Sequence, residues 1–483
     1  MKHPKAHLLA LLFLLLLGAV LLPKLQKDKP TITTPLPVMA EATESSEAMR
    51  PTVPETTAAA IPSVTAPLTT AQTTECPQTT AVIEVLAPWD EPPTLITGLP
   101  DTPPIALTSE TPITESPITE SPTLVTGLPD TLPITLDDTP PTLAAETVAA
   151  YIATAYCLDF PKSEVRSSET LTNELKALVA KAKKEGINTL FFQVRPASDA
   201  FYSSEVFPTS RYLVKNEGDP LPLDVLKTLL TLAHAEGIAV HAWVNPYRVT
   251  SPNESVASLA PNSPARLHPE YTFTCEGAVY YQPSLDEVIA LVAAGVGEIV
   301  RGYPVDGILF DDYFYPEGIE NEDSALYQHY LSKGGKLSLA DWRRENVNRL
   351  VASCYETVKA IDPNCLFGIA PRGIWRNISE DANGSITAGA SAYDSIYCDA
   401  TAWVRASTVD YLAPQLYWSY HEEKAQFLNL ALWWHMLLEN TEIQLIPSLA
   451  AYRLSEEEIK AQCFYLASLP HCHGWALYRM AYL

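Results

Sequence analysis

The chain has 483 residues and a net charge of −25, from 57 acidic and 32 basic side chains. That balance argues against nucleic acid as a main partner, because phosphate binding draws on Lys and Arg. The length exceeds what one core needs, and the charge is uneven: +4 over residues 1–30, −15 over 31–147 and −14 over 148–483.

Residues 1–30 open with Lys2 and Lys5 ahead of an apolar run at 8–22, the pattern of an export signal. The run is shorter than the roughly 17 to 25 residues of a full span. No small-x-small cleavage site follows it, so an uncleaved membrane anchor is expected ahead of a cleaved peptide. This predicts an extracytoplasmic protein, secreted or held at the cell surface, with the membrane as a partner through this segment.

Residues 31–147 are rich in Thr, Pro, Ser and Glu. TLITGLPDTPPI at 94–105 returns as TLVTGLPDTLPI at 123–134, with ITESP twice in tandem between them. Frequent proline blocks regular helix and central strand, and the low apolar content does not offset ordering entropy. A disordered acidic Thr/Pro-rich linker is expected, its repeats acting as spacer or as binding motif.

From Val148 the pattern alternates. VAAYIATAYCL reads as a strand, and TLTNELKALVAKAKKEG as a helix stopped by Gly186. INTLFFQV, a helix stopped by Gly237, IAVHAWV, SLDEVIALVAAGVGEIVRGY and VDGILF continue the series. After them come the helix LADWRRENVNRLVASCYETVKAI, the strand CLFGIA, a helical CDATAWVRAS and the strand VDYLAPQLYW. EEKAQFLNLALWWHMLLE, IQLIPSLAA, SEEEIKAQCFYLASL and HGWALYRM complete it. Eight strands alternating with seven helices imply parallel pairing with right-handed crossovers, and so an α/β fold, a closed (β/α)8 TIM barrel over 148–483. No Gly-rich phosphate loop follows any strand, which counts against the open doubly wound alternative. The series stops at Leu483 without an eighth helix, so the N-terminal segment or a partner is expected to cover that gap. The eight cysteines show no metal spacing and are expected mainly as buried free thiols, with one or two disulfides as the alternative.

In such barrels chemistry sits at the C-terminal strand ends. Those ends carry Gln193 and Arg195; Trp243, Asn245, Tyr247 and Arg248; Asp311, Asp312 and Tyr313; Arg372, Trp375, Arg376 and Asn377; Gln415, Tyr417 and Trp418; Tyr452 and Arg453; Tyr478 and Arg479. Aromatic faces stack on sugar rings, and amide and guanidinium groups bond hydroxyls, acetamides and carboxylates. Each residue alone also reads as core packing; their joint occurrence at seven strand ends points to a glycan site. Arg195, Trp243, Asn245, Tyr247, Tyr313, Arg372, Trp375, Gln415, Tyr417, Trp418, Tyr452 and Tyr478 are the candidate substrate-binding residues.

Asp311 and Asp312 end the fourth strand. Strand parity places Leu309, Asp311 and Tyr313 on one face. Glycoside hydrolysis commonly uses two carboxyl groups, and neighbouring carboxylates split their pKa values. The same pair also reads as loop aspartates capping backbone NH groups. No Asp or Glu ends strands five to eight. Asp394, in the loop after strand five, is the best distant second acid, with Asp199 and Glu217 weaker. A metal reading would join the pair to His241, which lies mid-strand, so no metal and no cofactor are expected.

NTLFFQVRP, AEGIAVHAWVNPYRV, YPVDGILFDDYFYP, DWRRENVNRLV, FGIAPRGIWRN, AYDSIYCDATAWV and VDYLAPQLYW together resemble the bacterial glycosyl-hydrolase-like family ten, over about 150–480 and in the right order. The resemblance implies a (β/α)8 barrel, a β-linked GlcNAc/MurNAc glycan of peptide-free peptidoglycan as substrate, and Asp311 and Asp312 as the acidic centre. The first strand lacks the family's Arg-Gly opening, and Arg372 stands where members often carry a small residue. The expected function is an exported glycoside hydrolase of cell-wall glycan. A non-catalytic glycan-binding barrel, or a hydrolase of another polysaccharide such as an α-glucan, is the alternative.

Overall fold

The computed structural model describes residues 146–311 and 314–483. The expected export segment, nearly all of the expected linker, and Asp312 and Tyr313 lie outside the described residues. The barrel strands are β1 (Thr147–Ile152), β2 (Thr189–Arg195), β3 (Ala239–Val244), β4 (Gly307–Asp311), β5 (Leu366–Ala370), β6 (Tyr411–Leu412), β7 (Gln444–Leu445 with Ser448–Ala450) and β8 (Gly474–Tyr478). Each pairs in parallel with the next, and β8 pairs with β1, so the ring closes. Pro447 splits β7: its first piece pairs with β6 and its second with β8.

Seven principal helices alternate with these strands: α1 (Ser168–Lys184), α2 (Val225–Ala235), α3 (Asp286–Gly302), α4 (Leu339–Ile361), α5 (Ala400–Ala406), α6 (Phe427–Leu438) and α7 (Glu456–Ala467). Ser167, Asp224, Ser338 and Ser455 cap four of them by accepting backbone NH bonds. Gly186 and Gly237 follow α1 and α2 with φ of +71°, the left-handed turn that ends a helix. Not expected were a short helix, Ser324–Ser332, ahead of α4, and an antiparallel hairpin, Thr272–Cys275 with Ala278–Tyr281, in the loop after β3. No helix among the described residues is long and apolar enough to cross a membrane. Of the seven described cysteines, Cys275, Cys354, Cys365, Cys398 and Cys463 are buried, and Cys157 and Cys472 are half-buried.

The apolar interior has two parts. The larger lies between barrel and helices. The smaller fills the barrel and includes Ala149, Tyr151, Phe191, Trp243, Leu309, Ala370, Tyr411, Ala413, Ile446 and Ala476. One interior layer sets large rings against glycines. A Cβ on Gly368 would lie 2.1 Å from the Tyr411 ring, and one on Gly307 would lie 2.7 Å from His241 Nδ1. His241 Nδ1 and the Tyr411 hydroxyl are 2.7 Å apart.

Burial pushes the His241 imidazole down to about 4. A depressed histidine supports the fold fully above its unfolded value near 6.5, and that support is lost as pH falls through 6.5 toward 4. The expected loss is about 3 kcal/mol. Melting temperatures measured between pH 7 and 4.5 should fall for the wild type and fall less steeply for His241→Asn. Equal slopes would remove His241 as the cause.

Candidate functional site

β4 is apolar until its last residue. Leu309 packs inside the barrel, and Asp311, two residues on, shares its face and is 6% exposed. A carboxylate this enclosed needs partners. Gln415 donates from Nε2 to Asp311 Oδ1 at 2.9 Å and to the Ala370 carbonyl at 3.2 Å.

Tyrosines line the opening beside Asp311. Tyr417 lies 5.8 Å from Tyr478 and 6.1 Å from Tyr452, and Tyr452 lies 5.9 Å from Tyr478, between ring centroids. Tyr478 continues through Tyr151 at 5.4 Å to Trp243 at a further 5.3 Å. The wall thus runs from β6 and β7 across β8 and β1 to β3. Burial raises the Tyr417 and Tyr478 phenols, and the Asp311 charge adds to both. They are therefore neutral hydrogen-bonding groups around an acidic point. Trp243 is deeper, 2% exposed, and its Nε1 has no hydrogen-bond partner among the described residues.

Arg372 continues the interior face of β5 beyond Ala370, and its backbone bridges to Gln415. Its guanidinium pairs with Glu317 at 3.1 Å. Glu317 is a carboxylate that sequence reasoning missed. Its only local signal is Gly318 beside it, whose φ of +82° turns the loop after β4.

Several candidates stand elsewhere. Arg195 is 0% exposed: its guanidinium lies over Phe207, and Nη2 donates to the Pro246 carbonyl. A register shift between Gln193 and Arg195 breaks the alternation that would have turned it inward. Tyr247 is buried in the outer core against Phe314. Trp375 stacks on Trp433 and donates from Nε1 to Asp399. Trp418 packs half-buried against the same outer core. Asn245 is buried and donates to the Pro196 carbonyl, steadying the end of β2. Asp394 accepts from Arg376 and from the Ser391 hydroxyl, an ion pair and turn within the loop after β5.

Asp199 and Glu217 anchor the loop after β2. Burial pushes the Asp199 carboxyl up to about 6, and Glu217 pairs with Arg211 at 2.6 Å. The group brought together is therefore Asp311, Gln415, Tyr417, Tyr452, Tyr478 and Trp243, with Arg372 alongside. Among the described residues no cluster of three His, Cys, Asp or Glu could hold a metal ion.

Residues 147–467 match the family model described as glycosyl hydrolase-like 10. The chain is 36% identical over 314 residues to the glycosyl hydrolase YngK of Bacillus subtilis (strain 168), covering 64% of this chain and 61% of that protein. It is 36% identical over 364 residues to the glycosyl hydrolase DigH of Escherichia coli (strain K12), covering 69% of this chain and 82% of the relative. Among solved structures, the PgaB glycoside hydrolase domain of Bordetella bronchiseptica is similar at a TM-score of 0.43 and 13% identity, over 69% of this chain and 94% of that one.

Proposed function

The chain belongs to the family described as glycosyl hydrolase-like 10, and from that premise we propose that it is an exported glycoside hydrolase of cell-wall glycan. The observation that carries this reading is Asp311, held by Gln415 inside the barrel mouth beside a wall of tyrosines. Glycoside hydrolysis commonly uses two carboxyl groups, and Asp311 beside stacking faces supplies one of them. Asp311 acts as nucleophile or as stabiliser of the developing positive charge at the anomeric carbon. Asp312 acts as general acid and then general base, or positions a substrate acetamide that itself attacks. Tyr417, Tyr452 and Tyr478 supply the sugar-stacking faces. The substrate class is the GlcNAc/MurNAc backbone of peptidoglycan without its peptides. The basic flank and apolar run at the N-terminus support export and tethering at the cell surface, and the Thr/Pro-rich linker supports reach into the wall.

A panel of peptide-free peptidoglycan strands, intact peptidoglycan, chitin oligosaccharides and an α-glucan tests the assignment. Cleavage is expected for the peptide-free strands and not for the α-glucan. Strands that bind and stay whole would favour a non-catalytic glycan-binding barrel. Within the same assay, Tyr452→Ala is expected to raise KM roughly tenfold with kcat nearly unchanged, the mark of a uniform binding contact. An unchanged KM would remove Tyr452 from the sugar wall.

A further inference from the structure

The strand ends carry six arginines, and five of them are engaged within the protein. Arg195 lies over Phe207 and donates to the Pro246 carbonyl, and Arg248 lies over Tyr280. Arg372 pairs with Glu317, Arg376 with Asp381 and Asp394, and Arg479 with Asp159. The sixth, Arg453 after β7, is exposed and makes no ion pair among the described residues. The acids nearest to it in sequence are occupied. Glu456 pairs with Lys460 at 2.5 Å, and Glu458 accepts from the Tyr420 amide at 2.9 Å. Backbone and Ser455 contacts at the start of α7 hold Glu457 below the usual carboxylate range. A tight turn fixes the arginine at the mouth: the backbone NH groups of Arg453 and Leu454 both donate to the carbonyl of Ala450, the last residue of β7. Its neighbour Tyr452 belongs to the tyrosine wall, 5.9 Å from Tyr478 and 6.1 Å from Tyr417. Burial raises the Tyr452 phenol, and the Arg453 charge beside it opposes that rise. The guanidinium and the phenol thus stand together at one edge of the opening.

We propose that Arg453 is a specificity-determining residue of the mouth, which receives the free lactyl carboxylate of a MurNAc whose ring stacks at Tyr452. The proposal rests on the cell-wall glycan reading above and adds how the site would tell peptide-free strands from intact ones. Each MurNAc carries a lactyl ether that ends in a carboxyl group. In intact peptidoglycan that group is an amide to the peptide, uncharged and followed by bulk. Hydrolysis of the amide frees one carboxylate on each MurNAc and removes the bulk. A guanidinium presents a planar fork of NH donors that matches a carboxylate and gains little from a neutral amide. Arg453 has that fork and no carboxylate of its own among the described residues, in a barrel region whose net charge is −14. The adjoining phenol supplies the face for the sugar ring that bears the lactyl group.

The test gives the full-length chain two substrates: peptide-free strands, and the same strands with their lactyl carboxylates reduced to alcohols. Wild type, Arg453→Met and Arg453→Lys are compared after their melting temperatures are shown to match. Both kcat/KM and strand binding by co-sedimentation are read. The wild type is expected to favour the carboxylate strands about tenfold, chiefly through KM. The ratio should fall to near one in Arg453→Met, and Arg453→Lys should keep part of it, since it retains the charge without the fork. A preference that survives in Arg453→Met overturns the proposal, whatever happens to the overall rate. A wild type indifferent to the carboxylate overturns it too, and leaves the hydrolase reading standing if both strands are cut. A binding preference lost in Arg453→Met, in a protein whose wild type cleaves nothing, supports the role of Arg453 and removes the hydrolase reading alone.

Discussion

Asp311→Asn is expected to lower glycan cleavage by about 10³-fold or more, about 4 kcal/mol of barrier, while glycan binding and melting temperature stay near wild type. The substitution removes charge and little else. Asn keeps the shape of Asp and an acceptor oxygen, so the Gln415 amide retains its partner. The tyrosine wall is untouched, and binding measured by co-sedimentation should persist. Loss of cleavage with binding kept separates a catalytic carboxylate from a structural one. Cleavage retained in Asp311→Asn would mean that the aspartate only closes the end of β4.

Arg343→Met is expected to cost about 3–5 kcal/mol of stability, because it strands a buried carboxylate. Arg343 on α4 and Asp323 are 2% and 0% exposed at their side chains. Nε donates to Asp323 Oδ2 at 2.8 Å and Nη2 to Oδ1 at 2.6 Å. The remaining hydrogens reach the Ile319 and Glu320 carbonyls and the Tyr397 hydroxyl. Ile319, Glu320 and Asp323 belong to the loop after β4, and Tyr397 to the loop after β5. One guanidinium therefore fastens to α4 two loops that leave the mouth of the barrel. Chemical unfolding should show the loss in Arg343→Met and a smaller one in Arg343→Met with Asp323→Leu, where no charge is left unpaired. Equal losses in the single and double variants would mean that the fork contributes through packing alone.

The order of strands and helices was legible because apolar period, N-cap residues and helix-ending glycines agree along this chain. The hairpin was missed although Glu276 and Gly277, with φ of +49° and +74°, form the left-handed turn that such hairpins favour. Its strands are only four residues each, too short for alternation to stand out. β6 and β7 are shorter than expected because Pro414 and Pro447 remove ladder donors. At the site, the inward direction of Asp311 followed from parity alone. Parity failed at Arg195, where a register shift re-aims the side chain, and a shift of that kind leaves no mark in the residues themselves. The engagement of Gln415 with Asp311 and of Arg372 with Glu317 depends on strands distant in sequence coming together, and no local pattern announces it.

The most direct measurement is a digest of peptide-free peptidoglycan strands by the full-length protein in 18O-water, with products weighed by mass spectrometry. Hydrolysis predicts shorter sugar chains that carry one 18O at each new cleavage site, lost in Asp311→Asn. Strands that remain whole while co-sedimenting with the wild-type protein would contradict the hydrolase and leave a barrel that binds glycan without cutting it.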